Sequence, residues 1–316
     1  MRRAMTILGG VLAVLVPLVG GFFALTWAPD RPVSALVARW APPPSTFVDI
    51  AGMKVHLRDE GPRDDPSPII LIHGTGSYLH AWEGWVPALK DARRVITFDL
   101  PGFGLTGPSP DGDYSLEASV RFVVALMDKL GVAHAVLGGN SLGGAVSWAT
   151  AILAPSRVDR LILVDSGGYP PHSTSIPLGF RIARMPGVNA LLSHTLPRFL
   201  IASGMRNVFG DPAKVTDLMI DRAYEITLRE GNRQAMVQRF NQPRRTALAA
   251  RIPEIKVPTL IIWGGRDRLV PPDDAERFHQ DIAGSTLVIF DELGHAPEEE
   301  DPARTVVAVK QFLGLE

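Results

Sequence analysis

The chain has 316 residues and a mass of 34.2 kDa, with 46% hydrophobic and 21% charged residues, a composition that excludes a disordered polymer. Lys and Arg number 32 against 33 for Asp and Glu, and a net charge of −1 gives no electrostatic footprint for nucleic acid. Cys is 0, which excludes disulfides, a thiolate nucleophile, iron–sulfur clusters and cysteine zinc sites. The amino terminus opens on Met1-Arg2-Arg3 and then carries no charge until Asp30. The apolar run between them, reaching Trp27, exceeds the roughly 18 residues that suggest a membrane span. Arg2 and Arg3 predict a cytoplasmic terminus with the rest of the chain translocated. The alternative is secretion after signal cleavage, but a signal core is usually only about 7–15 residues, and Thr26-Trp27-Ala28 is a poor cleavage pattern. Residues 1–28 are therefore read as a membrane anchor or signal-like segment. The prolines at 29, 32, 42, 43 and 44 mark 29–45 as a linker, within which 33–40 has the pattern of a short amphipathic helix lying on a membrane or on the rest of the protein.

From Thr46 strands and helices alternate. Residues 47–50 and 53–58 flank Ala51-Gly52 and read as a hairpin. Short apolar runs at 69–72, 94–98, 133–138, 160–164, 259–263 and 286–290 read as strands buried on both faces. Helical patterns fall at 83–90, 115–130, 142–153, 273–282 and 303–313. This alternation predicts an α/β fold, a mostly parallel sheet with helices on both faces. The rhythm breaks between 169 and 252, where only helical patterns occur, at 190–203, 213–229 and 232–250. The domain organisation read from this is a core of 46–168 and 253–316 with a helical cap, 169–252, inserted over the sheet's carboxyl edge.

Gly139-Asn140-Ser141-Leu142-Gly143 is a G-x-S-x-G sequence between a predicted strand and a predicted helix. A sharp strand-to-helix turn there exposes the Ser141 hydroxyl at the positive end of a helix, and it requires glycine where a side chain would collide. The pentapeptide alone is also what a plain glycine-rich turn looks like, so its flanks give it meaning. A hydroxyl needs a base, and imidazole titrates near neutrality. His295, in Gly294-His295-Ala296-Pro297, follows the last predicted strand, and loops after parallel strands converge on one sheet edge. His56 lies in the hairpin and His134 on the opposite edge, while His172, His194 and His279 read as surface or packing residues. The imidazole needs an acid to fix its tautomer. Asp267, in Gly265-Arg266-Asp267, fits that place, with Asp165 at the end of an earlier strand as the rival. Backbone N–H groups of Leu142 and Thr75 are the candidate oxyanion donors, with His73 holding the His73-Gly74-Thr75-Gly76 loop.

With these pieces and Asp99-Leu100-Pro101-Gly102-Phe103-Gly104, the chain resembles the α/β-hydrolase superfamily over nearly all of 47–313, and is similar to capped, membrane-anchored bacterial hydrolases of the esterase type. The resemblance implies a serine nucleophile, a covalent acyl-enzyme and no cofactor or metal. Haloalkane dehalogenases and epoxide hydrolases share the fold but use an Asp nucleophile, from which Ser141 departs. The expected activity is hydrolysis of small to medium apolar carboxylic esters, with Asp267 staying ionised behind His295. The alternatives are cleavage of carbon–carbon bonds in dienoic keto acids, or perhydrolysis, by the same triad. A non-catalytic binding protein on the same fold is a reading of a different class, and such proteins usually lack a triad member. The carbon–carbon hydrolases usually carry a Gly-Gly-rich oxyanion loop with Pro, which Thr75-Gly76-Ser77 lacks. The partners expected are a small-molecule ester and a membrane, with the bulk of the chain on the extracytoplasmic, periplasmic side.

Overall fold

The computed structural model describes residues 13, 17, 20–185, 194–242 and 246–315. Strands β1 (Thr46–Ile50), β2 (Met53–Glu60), β3 (Ile69–Ile72), β4 (Val95–Phe98), β5 (Ala135–Asn140), β6 (Val158–Val164), β7 (Thr259–Gly264) and β8 (Thr286–Phe290) form one 8-stranded sheet in the order β1-β2-β4-β3-β5-β6-β7-β8. β2 runs antiparallel to β1 and β4, and the other neighbours pair parallel. Alternation along each strand sends side chains to two separate cores. Ile70, Ile72, Ile96, Phe98, Leu161 and Leu163 join one, while Ile69, Leu71, Val95, Ile162 and Val164 join the other. Burying each such side chain stabilises the fold by about 1.5–3 kcal/mol, which is why the buried stretches of these strands are apolar.

The helices in chain order are α1 (Ser34–Trp40), α2 (Val86–Leu89), α3 (Leu116–Lys129), α4 (Leu142–Leu153), α5 (Leu178–Ala183), α6 (Arg198–Val208), α7 (Asp217–Thr227), α8 (Asn232–Asn241), α9 (Asp273–Asp281), α10 (Pro297–Glu300) and α11 (Pro302–Leu313). Val123, Leu126, Val146 and Ala149 of α3 and α4 cover the first core, and Val86, Leu89, Val306 and Val309 of α2 and α11 cover the second. The helix expected at 83–90 is shortened to Val86–Leu89, with Pro87 in its first turn, and a separate 3-10 turn, Leu79–Trp82, precedes it. Among the described residues no strand lies between β6 and β7, where α5 to α8 are found. α6 starts at Arg198, after Pro197, rather than at 190, and residues 186–193 lie outside the described ones. α8 stops at Asn241 rather than near 250, because Gln242 precedes Pro243 and adopts an extended backbone with ψ 142. A 3-10 helix, Thr246–Glu254, leads into β7.

Most of the apolar amino-terminal run lies outside the described residues. Among the described residues no helix is long and apolar enough to cross a membrane. Within the Pro-rich stretch, α1 packs on the protein itself: Leu36 and Trp40 are buried, Trp40 Nε1 donates to Glu225 Oε2 of α7 at 2.6 Å, and His80 Nε2 donates to the Trp40 carbonyl at 2.8 Å.

Candidate active site

β5 ends at Asn140 and α4 begins at Leu142, so Ser141 alone makes the turn, at φ 54 and ψ −111. A non-glycine residue held there costs about 1–3 kcal/mol. Its peptide is pinned on both sides: Ser141 N–H donates to the Val164 carbonyl at 2.9 Å, and the Ser141 carbonyl accepts from Ala145 and Gly167 N–H, each at 3.0 Å. A Cβ on Gly139 would lie 2.2 Å from the Gly143 carbonyl carbon, across the turn as the sequence suggests. A Cβ on Gly143 would instead strike the Ile72 carbonyl oxygen at 1.9 Å, so this glycine lets α4 close onto the end of β3. That approach sets Leu142 beside the loop that leaves β3. Gly74, Thr75, Ser141, Leu142 and His295 all line one cavity of about 750 Å³.

His295 lines that cavity and is backed by Asp267, 28 positions away and buried: Asp267 Oδ2 accepts from His295 Nδ1 at 2.6 Å. Leu269 and Val270 N–H donate to Asp267 Oδ1 at 2.7 and 3.0 Å, which orients the carboxylate. The His295 backbone is fixed from two directions, by its N–H to the Val208 carbonyl of the cap at 2.6 Å and by Asn140 Nδ2 to its carbonyl at 2.8 Å. Among the described residues no hydrogen bond joins the Ser141 hydroxyl to the imidazole, a link that commonly tightens only with substrate bound. Glu300, which sequence reasoning missed, accepts from Gly294, Gly210 and Asp211 N–H, each at 2.8 Å. It thus ties the His295 loop to the end of α6, and its place in an acidic run gave no local signal of this.

Asp165, the rival acid, follows β6 with φ 41 and is fully buried; its Oδ1 accepts from Gly264 N–H at 3.0 Å. Ligand-type atoms of Asp165, Asp267 and His295 lie within 4.8 Å of one another, a grouping hidden by their distance in sequence. The His295 Nδ1 bond goes to Asp267 rather than to Asp165. His73 is structural: Nδ1 donates to the Gly74 carbonyl at 2.8 Å and Nε2 accepts from Leu100 N–H at 3.0 Å. Burial pushes its pKa down, against the pull of Asp99, so it stays neutral. His56 forms a second relay-like chain, with Nδ1 on Asp99 Oδ2 at 2.7 Å and Nε2 on Ser45 Oγ at 2.9 Å, but none of these three residues lines the cavity.

Among the apolar side chains of the cap, Ile176, Phe180, Leu196, Leu200, Met205, Phe209 and Met236 line the cavity, whereas Leu178, Phe199 and Met219 do not. Arg184, Arg233 and Arg239 line it as well. Arg239 of α8 sits over the rings of Phe103 and Tyr114 at 4.9 and 5.0 Å and donates to the Pro101 and Tyr114 carbonyls at 3.1 and 3.2 Å. Among the described residues no carboxylate pairs with it, and burial pulls its pKa down to about 10. A half-buried guanidinium without a counter-charge favours an anion in the space beside it.

Residues 67–302 match the family model of the α/β-hydrolase fold. The chain is 30% identical over 273 residues to a 2-hydroxymuconate semialdehyde hydrolase of Pseudomonas sp., spanning 83% of this chain and 91% of that protein. A meta-cleavage product hydrolase from Pseudomonas fluorescens aligns with a TM-score of 0.72 at 28% identity, over 85% of this chain and 97% of the other. A thermophilic esterase from Thermogutta terrifontis aligns with a TM-score of 0.68 at 27% identity, over 85% and 97%. With a strained serine, a paired imidazole and a buried carboxylate at one sheet edge, and a family match over most of its length, the chain belongs to the α/β-hydrolase fold family and is a hydrolase.

Proposed function

We propose that the protein is a serine hydrolase acting on carbonyl compounds through an acyl-enzyme on Ser141. Ser141 Oγ adds to the carbonyl carbon as its proton passes to His295 Nε2, and Asp267 holds the resulting imidazolium by its Nδ1–H. Leu142 and Thr75 N–H groups receive the oxyanion. The leaving group takes the proton from His295; water, deprotonated by the same imidazole, then releases the acid. The observation that carries this reading is the Asp267–His295 pair opening on the cavity that Ser141 lines.

The substrate class favoured is a dienoic keto acid, cleaved at a carbon–carbon bond. The relative named for 2-hydroxymuconate semialdehyde has such a substrate by name, and a molecule without an ester is hydrolysed only at carbon. Arg239 supports this reading, as a half-buried cation on the cavity wall without a carboxylate partner among the described residues. The second reading is carboxylic ester hydrolysis, which the apolar cap residues and the Thr75-Gly76-Ser77 loop favour. The test measures turnover of a 2-hydroxy-6-oxo-dienoate and of short p-nitrophenyl esters. Ser141→Ala is expected to abolish both while leaving the fold intact. Arg239→Gln is expected to raise KM for the dienoate at least about tenfold, the loss of one charge-assisted contact, and to spare uncharged esters. Turnover of esters alone, insensitive to Arg239, selects the second reading; residual turnover by Ser141→Ala removes the nucleophile assignment.

For location, residues 5–27 are read as holding the protein at a membrane with the catalytic part outside the cytoplasm. The long uncharged run supports this, as does the attachment of the segment that follows it. Leu196 N–H donates to the Thr26 carbonyl at 3.0 Å, Ala28 N–H to the His194 carbonyl at 2.9 Å, and Arg31 N–H to the Leu228 carbonyl at 2.6 Å. An anchor would thus be tied directly to the cap.

A further inference from the structure

Behind the Asp267–His295 pair lies more carboxyl than a triad needs. Asp165 is 0% exposed, its Oδ1 takes a single N–H, from Gly264, and its Oδ2 is buried with no donor facing it among the described residues. The groups around it are acids. Asp267 and His295 lie within 4.8 Å. Glu298 of α10 is buried, and its charge acts on Asp165 and is itself acted on by Asp267 and Glu299. Burial, and the charges of Asp273 and Asp267, push the carboxyl of Asp274 in α9 up, against the pull of His172 and Arg277. Two carboxylates this close in a dry site do not both ionise. The hydrogen bonds decide which keeps the charge. Asp267 receives Leu269 N–H, Val270 N–H and His295 Nδ1–H, whereas Asp165 receives only Gly264 N–H. The charge therefore rests on Asp267 and the proton on Asp165.

We propose that Asp165 is a positioning residue present as the neutral acid, whose carboxyl O–H donates to the Asp267 carboxylate so that the two carboxyls behind His295 hold one proton between them. This rests on the serine-hydrolase reading above. Burial, then the charge of Asp267, push the Asp165 pKa well up, in agreement with the geometry. The donated proton spreads the negative charge of Asp267 over two groups. That weakens the pull on the Nδ1 proton and keeps His295 less basic, so the imidazole is free to accept the Ser141 proton at lower pH.

The test follows the rate at which a fluorophosphonate labels Ser141 in the full-length chain as pH is varied. Labelling needs neutral His295, so the rate rises with pH and its midpoint reports the imidazole. Asp165→Asn supplies one acceptor for Gly264 N–H and one NH₂ donor for Asp267, the same pattern as a protonated Asp, and is expected to keep the wild-type midpoint. Asp165→Val lacks the donor and is expected to move the midpoint up by about one pH unit, the size of a lost hydrogen bond to a charged group. An Asp165 that is ionised in the wild type would make Asp165→Asn lower the midpoint, because a negative charge beside the imidazole is removed; that result overturns the proposal. So does an unmoved midpoint in folded Asp165→Val. Should the valine variant not fold, the asparagine arm decides alone. Absence of labelling in the wild type at every pH fails the serine-hydrolase reading itself and takes the proposal with it, and is distinguishable from either shift.

Discussion

Ser141 keeps its backbone at φ 54 because its neighbours leave no alternative: Val164 takes its N–H, and Ala145 and Gly167 take its carbonyl. The same logic of an over-determined polar group governs Asp99, away from the cavity. Asp99 Oδ1 accepts from Leu79 N–H at 2.8 Å, and Oδ2 accepts from Leu105 N–H at 2.7 Å and from His56 Nδ1 at 2.7 Å. Burial opposes its ionisation, but His56, by charge and hydrogen bond, outweighs that and holds its carboxyl well below the usual range. The sign of the linkage follows. The stability is fully present above the unfolded aspartate pKa of about 3.9 and is lost as pH falls toward the depressed folded value. Asp99→Asn is therefore expected to cost about 3 kcal/mol at neutral pH, with the deficit relative to wild type shrinking below about pH 4. Urea unfolding at several pH values measures this, and a deficit constant down to pH 3 would show that the charge is irrelevant. At this scale Ser141, Asp267 and His295 were legible because each sits in a glycine-bounded turn after an apolar strand. Arg239, Glu300 and the partners of Asp165 were not, because their meaning comes from groups far away in the chain: Arg239 reads as an ordinary solvated helix residue until the rings of Phe103 and Tyr114 close over it.

At the level of elements, the strands were readable nearly to the residue, since a run buried on both faces has to be apolar throughout and short. The cap helices were not, since several of their limits are set by prolines rather than by periodicity. Pro197 sets the start of α6, and Pro243 stops α8 through the extended backbone of Gln242. The six-residue α5 is too short to show a helical period. The contact between cap and core was equally invisible, although it controls the base. Glu300 of α10 gathers N–H groups from Gly294, in the His295 loop, and from Gly210 and Asp211, just after α6. A Cβ on Gly294 would lie 2.4 Å from both Gly210 N and the Val208 carbonyl, so the two segments touch backbone to backbone. Removing the carboxylate leaves buried N–H groups unpaired. Glu300→Ala is expected to destabilise by about 2–4 kcal/mol and to lower kcat more than it raises KM, because the imidazole loses its placement while the apolar cavity remains. Glu300→Gln keeps one acceptor oxygen and should fall between alanine and wild type. Equal effects of both variants on kcat/KM, carried wholly by KM, would assign Glu300 to substrate binding instead.

For the whole molecule, the amino-terminal strap joins parts that the sheet alone would leave independent. Arg39 pairs with Glu225 at 2.7 Å, Trp40 donates to the same carboxylate, and His80 of the core holds the Trp40 carbonyl, so α1 bridges core and cap. The chain just before it is bonded to the cap at Thr26, Ala28 and Arg31. The candidate catalytic residues, by contrast, lie between Thr75 and His295. On the proposed reading, location and chemistry fall to separable stretches. Full-length protein is expected to sediment with membranes and to be released by detergent but not by high salt, because the attraction is apolar burial rather than charge. A chain beginning at residue 20 keeps the contacts of Thr26, Ala28 and Arg31 with the cap, so it should be released from membranes while retaining kcat/KM on a soluble substrate. In intact cells stripped of their outer layer, added protease should digest the catalytic part of the full-length protein, as the paired arginines at the amino terminus dictate. Identical soluble behaviour of the two chains would end the anchoring reading; protection from the protease with membrane attachment intact would reverse the orientation and leave the anchor standing.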